Sequence, residues 1–236
     1  MSRIVALAAF CLLASTALVA RGAGKDDVQA AVKKLADAPS YAWKSETKGG
    51  FGGGTAEGKA EKDGFTVVTV TFLNNNNVEV VKKGDQGAVK LQDGWKSFAE
   101  VMAEAGQGQP NPARFVAMMM RNYRAPAVVA QQLVSSAKEV KQSGDVFEAE
   151  LTEPGAKDLI SFRGRQGGDG PQINDAKGTA KLWVKDGVLS KLEYHLQGSM
   201  NLNGQDREID RTTTIEIKDV GTAKPEVPEE AKKKIS

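Results

Sequence analysis

The longest ordered pattern in the chain is an alternation of apolar and polar residues that begins at Val188. Val188, Ser190, Leu192, Tyr194, Leu196, Gly198, Met200 and Leu202 fall on one face of an extended strand; Leu189, Lys191, Glu193, His195, Gln197, Ser199, Asn201 and Asn203 fall on the other. A period of two held for about fifteen residues far exceeds the usual strand of five or six. Asn203-Gly204 turns the chain, and Glu208 to Lys218 returns with Ile209, Ile215 and Ile217 facing one way. Gly178 to Lys185 precedes the run as a strand closed by an Asp186-Gly187 turn. Two strands of this length need a large, curved sheet, and Gly198 stands where the bend can relax.

The earlier part of the chain switches between the two periods. Asp26-Asp27 caps a short helix in which Val28, Val32 and Leu35 recur at helical spacing. Tyr41 to Thr47 reads as a strand, followed by a glycine cluster from Gly49 to Gly54. Phe65 to Leu73 is β-branched and aromatic on both faces, which predicts a strand covered on both sides. Asn74 to Asn77 form a polar loop, and Gly84 to Gly87 turns Val78–Lys83 back onto Ala88–Leu91. Three helices are predicted next. The first runs from Gly94 to Ala105 with Trp95, Phe98, Met102 and Ala105 on one face. Asn111-Pro112 opens the second, which ends at Tyr123. Pro126 starts the third, with Val129, Leu133, Ala137 and Val140 as its buried row. Asp145 to Thr152 alternates as a strand, Pro154 to Phe162 is helical, and the polar, glycine-rich Gly164–Gly178 reads as a long loop. Val227 to Ala231 closes the chain as a short helix with proline at its start. The fold class predicted is α+β: an antiparallel meander forming a large curved sheet, with helices packed on one face.

The first two dozen residues stand apart. Arg3 precedes an uncharged run of 17 residues from Ile4 to Ala20, and small residues follow it. This predicts a secretory signal peptide over residues 1–24, with Ala20 as the first choice for the cut and Gly22 or Ala23 as alternatives. Spanning a bilayer takes roughly 17–25 strongly apolar residues, so an alanine-rich run of this length is a poor anchor. Cys11, the one cysteine, lies inside this segment and follows Phe10, which argues against a lipidation signal. Residues 25–236 then form a single domain, without a thiol and long enough to bury its core unaided. The 32 basic and 30 acidic residues are spread along the chain, so no basic stripe points to nucleic acid.

Catalysis requires a placed nucleophile, acid–base group or metal. The one histidine, His195, falls on the polar face of its strand, where a solvent-facing side chain is the default. The acidic pairs Asp26/Asp27 and Glu229/Glu230 sit in first turns of helices, where the dipole favours them. No cluster has metal-ligand spacing, so neither a metal nor another cofactor is expected. Gly53 to Lys59 matches the opening of a phosphate-binding loop, but Ala60 stands where a hydroxyl should bind magnesium, and a strand follows in place of the helix. The apolar residues are more telling. Met102, Met118, Met119, Met120 and Met200 suit either a filled core or an adaptable hollow for a lipophilic ligand. Arg211 shares an apolar face with Ile209, Thr213, Ile215 and Ile217. It must hold a ligand head group, pair with a buried acid, or extend to water.

The end of the chain carries a resemblance. Leu182-Trp183-Val184, the Asp186-Gly187 turn, Leu189, Lys191-Leu192-Glu193, the Thr212-Thr213-Thr214 strand and Val227-Pro228-Glu229-Glu230-Ala231 together resemble the half-barrel carriers of the bacterial envelope, the LolA and LppX/LprG-like superfamily. As architecture the resemblance covers most of the chain after the leader; as motif it covers the last sixty residues. It implies an incomplete antiparallel barrel wrapped around helices, with a hollow that takes lipid or the acyl chains of lipoproteins. The chain departs from that pattern in its few tryptophans and tyrosines, its glycine-rich Gly164–Gly178 segment and its lack of a lipidation signal. The expectation is a monomeric, non-enzymatic exported carrier, periplasmic or extracellular, binding a lipid or an acylated protein. The alternative is an envelope sensor or protein-interaction module with another envelope protein as its partner. The residues expected around the hollow are Trp95, Phe98, Met102, Phe115, Met119, Leu192, Tyr194, Leu196, Met200 and Arg211.

Overall fold

The computed structural model describes residues 23–50, 53–72, 77–104, 112–161, 172–202 and 205–235. Helix α1 (Ala23–Asp37) carries Asp26 in its first turn and Lys34 in its last, which suits the helix dipole. A meander follows: β1 (Ser40–Gly49), β2 (Gly54–Glu61), β3 (Thr66–Phe72), β4 (Asn77–Lys83), β5 (Gln86–Leu91) and β6 (Gly94–Ser97). Helices α2 (Phe98–Glu104), α3 (Pro112–Arg121) and α4 (Pro126–Ser135) cross to a second meander. That one holds β7 (Ala137–Ser143), β8 (Val146–Leu151), helix α5 (Glu153–Ile160), β9 (Ile173–Lys185), β10 (Val188–Leu202) and β11 (Gln205–Lys218), and α6 (Glu229–Ile235) ends it.

All eleven strands belong to one sheet, in the order β6-β5-β4-β3-β2-β1-β11-β10-β9-β8-β7. Every neighbouring pair is antiparallel, and β1 joins the two meanders by pairing Ala42 with Lys218 through to Gly49 with Arg211. β6 and β7 are the free edges, so the sheet is an open, curved half-barrel, as the long alternation predicts. One core runs under α1 to α5, with Val28, Leu35, Val101, Val116, Leu133 and Ile160 buried against Val68, Val80, Leu182, Leu192 and Leu196. Helix α6 covers the opposite face, where Ala231 and Ile235 pack on Val81, Ala88 and Trp95. Phe65 and Val67 reach this second cluster while Val68 and Val70 reach the first, which explains why that stretch is apolar on both sides.

Several elements differ from the sequence reading, each for a local reason. Trp95 lies on strand β6, and the helix predicted from Gly94 begins at Phe98. A capping box sets that start: the Ser97 amide donates to Glu100 Oε2 at 2.6 Å, and the Glu100 amide donates to Ser97 Oγ at 3.1 Å. Glu100 also accepts from Lys234 Nζ at 2.7 Å, which ties α6 to α2. The Lys234 ammonium and the Ser97 amide hold its carboxyl down to about 2. Helix α4 stops at Ser135, so Ala137 and Val140 belong to β7, which pairs with β8. The residues from Ile173 to Gly178 are strand, not loop; 162–171 lie outside the described residues. Residues 1–22 of the predicted leader are also outside them, while Ala23 and Gly24 form the first turn of α1. The glycine-rich stretch ending at Lys59 runs along β2, a strand with no helix after it.

The long alternation is broken twice. Leu189 pairs with Val184 but Lys191 pairs with Trp183, so Ser190 is an extra residue on β10. This bulge shifts the phase by one, and Leu189 and Leu192 are both fully buried although a strict period of two separates them. Ser190 Oγ donates to the Trp183 carbonyl at 3.1 Å and steadies it. Farther on, Gln197 pairs with Lys177 and Ser199 with Asn174, which places the extra residue on β9 beside Gly198. Asp175 takes a left-handed φ of 52° there, and Ile173 and Ala176 are both buried.

Gly58 stands opposite Trp43 in the β1–β2 pair. A Cβ at Gly58 would lie 2.8 Å from the Trp43 ring and 2.7 Å from the Val67 carbonyl oxygen, so the indole lies flat over a backbone without a side chain. Gly58→Val is expected to lower stability by about 1–3 kcal/mol, the usual cost of overpacking, with urea denaturation as the measurement. An unchanged midpoint would mean that the indole does not rest on Gly58.

Candidate functional site

The concave face does not close completely on its helical cover. A hollow of about 350 Å3 remains between β1, β2, β3, β10 and β11 on one side and α3, α4 and the end of α5 on the other. Its sheet wall is built by inward positions that alternate along each strand: Trp43, Ser45 and Thr47 on β1, Val68, Val70 and Phe72 on β3, and Arg211, Thr213 and Ile215 on β11. Phe115, Met119, Met120 and Tyr123 close it from the helical side. The wall's hydroxyls are mostly turned onto the protein. Ser45 Oγ lies 3.4 Å from the Ala56 carbonyl it donates to, and the Thr47 and Thr213 hydroxyls bond each other at 3.1 Å. What remains toward the space is chiefly hydrocarbon and aromatic ring.

Two polar atoms at the hollow are not satisfied in this way. Trp43, buried at 4% exposure, stacks on Tyr123 with ring centroids 5.7 Å apart and 23° between planes. Neither Trp43 Nε1 nor the Tyr123 hydroxyl has a hydrogen-bond partner among the described residues, and both atoms are buried. Burial pushes the Tyr123 hydroxyl well above the ordinary tyrosine range, and the nearby Tyr41 and Tyr194 hydroxyls add to this. It therefore stays a neutral donor. Tyr41 contrasts with it, because its hydroxyl bonds the backbone of Ala127 at the start of α4. An unpaired buried donor costs roughly 1–3 kcal/mol, so an acceptor brought in by a ligand would recover that cost.

Arg211, at the wall of the hollow, is hydrogen-bonded to the end of α5. Its Nη2 donates to the Leu159 carbonyl at 2.7 Å, and Arg124 Nη1 donates to the neighbouring Asp158 carbonyl at 3.3 Å and to Gln132 Oε1. The last carbonyls of α5 have no partners inside the helix and carry its negative end, so two guanidinium groups cap it. Burial lowers Arg211 from its usual range, yet a guanidinium remains charged throughout the accessible pH range.

Of the residues expected around the hollow, Phe115, Met119, Tyr194 and Arg211 line it. Leu192, Leu196, Met200 and Phe98 are buried in the main core without lining the space, and Met102 is half-buried on α2. Trp95 is on the opposite face under α6. Met118 is exposed rather than part of an apolar lining. The sequence reading passed over Trp43 and Tyr123. Tyr41 and Trp43 share a strand face by period two, and that signal was available. His195 lies on the polar strand face as expected, bonded to Asp210 Oδ1 at 2.8 Å, while Gln197 Nε2 donates to Asp210 Oδ2 at 3.0 Å. Both donors hold the Asp210 carboxyl below its usual range, the His195 bond first. Among the described residues, no group of three or more His, Cys, Asp or Glu side chains could hold a metal ion, and no helix is long and apolar enough to cross a membrane.

These features define an open antiparallel half-barrel with a helical cover and an apolar hollow between them. No family model matches the chain. Over 229 residues it is 25% identical to U-box domain-containing protein 44 of Arabidopsis thaliana, a match covering 88% of this chain. The chain spans 26% of that relative's length. Among solved structures it is similar in fold to the lipoprotein LppX of Mycobacterium tuberculosis, at 11% identity and a TM-score of 0.48 over 86% of this chain and 97% of that one. It is likewise similar to LprF of Mycobacterium bovis, at 12% identity and a TM-score of 0.46 over 89% and 97% of the two chains.

Replacing Tyr123 by Phe removes one unpaired buried hydroxyl and leaves the ring stack in place. The ligand-free Tyr123→Phe protein is expected to be more stable by about 1 kcal/mol, read from the urea midpoint. A loss of stability instead would reveal a partner for that hydroxyl.

Proposed function

We propose that the chain is an exported, non-enzymatic carrier or binding protein for a lipophilic ligand, a lipid or the acyl chain of a lipoprotein, in the bacterial envelope. The observation that carries this reading is the hollow itself. Ligand sites are concave, mostly apolar and a few hundred Å3 in size, with a small number of placed polar groups. A space of about 350 Å3 walled by Val68, Val70, Phe72, Met119 and Ile215 fits that description. Its volume is near the low end of the roughly 300–1,000 Å3 range, which favours a single chain over a bulky multi-chain lipid.

Methionines at 119 and 120 supply flexible, polarizable contacts that adapt to a chain without fixed shape. Trp43 Nε1 and the Tyr123 hydroxyl offer donors to a carbonyl or carboxylate on the ligand. The protein's own residues hold Arg211 at the end of α5, so its part is to fix that wall of the site. The leader proposed for export is compatible with the fold when the cut follows Ala20, because this leaves all of α1 on the exported chain.

Native mass spectrometry of the protein purified without detergent, followed by organic extraction, tests the reading. A stoichiometric acyl-containing adduct is expected, and Met119→Lys should remove it while leaving the circular dichroism spectrum unchanged. A clean mass without adduct, together with no uptake of added fatty acid or phospholipid, would rule out the carrier.

A further inference from the structure

The outer surface of α3 has a composition found nowhere else among the described residues. The large hydrophobics exposed there are Phe115 at 51% and Met118 at 49%, and the third exposed one, Val128 at 49%, is on the adjoining α4. At about 100° per residue, Arg121, Arg114, Met118 and Phe115 follow one another across a single arc of about 120°. The opposite arc holds Val116, Ala117 and Met120, each at most 1% exposed. The inner arc anchors α3 to the core, and the outer arc leaves two large hydrophobics exposed beside two cations among the described residues.

The charge along this stretch of the chain is one-sided. The whole chain is nearly balanced, with 32 basic and 30 acidic residues, yet no Asp or Glu occurs between Glu104 and Glu139. Arg114 and Arg121 fall within that interval on α3, while Arg124 holds the end of α5 and Lys138 pairs with Glu150 on the neighbouring strand. A hydrophobic patch of two side chains is too small for a stable protein interface by itself, and among the described residues Arg114 and Arg121 are engaged in no ion pair. Phe and Met beside a pair of Arg match the boundary of an anionic bilayer, where apolar side chains enter the acyl edge and guanidinium groups meet phosphates. We propose that the outer face of α3 docks on the surface of an anionic lipid membrane. Phe115 also lines the hollow, so this face stands at its rim. The docking is independent of what the hollow holds.

Flotation of the purified protein with vesicles tests this, using phosphatidylethanolamine containing phosphatidylglycerol and, separately, phosphatidylcholine alone. Binding to the anionic vesicles is expected, weakening as salt rises because the cations are exposed. The Arg114→Gln/Arg121→Gln protein should bind them roughly 25-fold more weakly, at about fivefold per arginine, and should lose most of the salt dependence. Met118→Asp should weaken binding about tenfold. Met118→Trp preserves the apolar character and should bind as before, its fluorescence shifting to the blue on contact with vesicles. Thermal melts of all variants should match the parent, since the replaced side chains are exposed. Equal binding by parent, double-arginine and Met118→Asp proteins would overturn the proposal. So would indifference to both vesicle types, or capture by a protein that leaves vesicles untouched. Uptake of acyl ligand in native mass spectrometry is a separate readout, so failure of docking and failure of the carrier reading can be told apart.

Discussion

The pairing of β1 with β11 is the constraint on which the rest of the structure depends. The two strands come from opposite ends of the chain, and between Ala42–Lys218 and Gly49–Arg211 they join what are otherwise two separate meanders. Each meander is built from local hairpins, whereas this seam closes a loop of most of the chain and carries a large entropy cost before any contact rewards it. What rewards it is burial: Trp43, Ile215 and Ile217 enter the core along the seam. The seam is also the floor of the hollow, since β1 and β11 contribute Trp43, Ser45, Thr47, Arg211, Thr213 and Ile215 to its wall. The site therefore does not exist in either half alone.

The seam also explains how the hollow stays open. Trp43 rests against Gly58 of β2 and stacks on Tyr123 across the hollow, so its ring props the helical cover off the sheet. Across the hollow, Arg211 and Arg124 hold the end of α5 by its carbonyls. A helix end fixed by two guanidinium groups resists collapse onto the sheet in a way that apolar packing, which is non-directional, does not. Unpaired donors on Trp43 and Tyr123 are the cost of that opening, because filling the space with protein would have offered them partners.

Much of the sheet was legible in the sequence because period two is a strong signal when it is long. β10 and β11 were read nearly at their full length, and so were β1, β3, β4, β5 and β8. The bulges were not, because an extra residue such as Ser190 changes which side chains face inward without changing composition; Leu189 was placed on the wrong face for that reason. Trp95 was assigned to a helix because Trp95, Phe98 and Met102 fit a helical row. The Ser97-x-x-Glu100 capping box, visible in the sequence, marks the true start. The lining of the hollow was the least legible part. Leu192 and Tyr194 occupy the same strand face, yet one is sealed in the core and the other borders open space. What separates them is how closely α3, α4 and α5 approach the sheet, a tertiary distance that no spacing along the strand encodes.

Helix α3 is where these constraints meet. At ten residues it is too short to be stable by itself, so its position rests on Val116, Ala117 and Met120 at the core. Phe115, Met119 and Met120 at the same time form part of the wall of the hollow, and Arg114, Met118 and Arg121 face outward. The hollow and the outer basic, apolar face are thus separated by a single helix held by three buried side chains. Any force that moves α3 outward moves the wall of the hollow with it, whereas the sheet wall is fixed by hydrogen bonds to strands on either side. Of the two walls, the helical one is the one free to give.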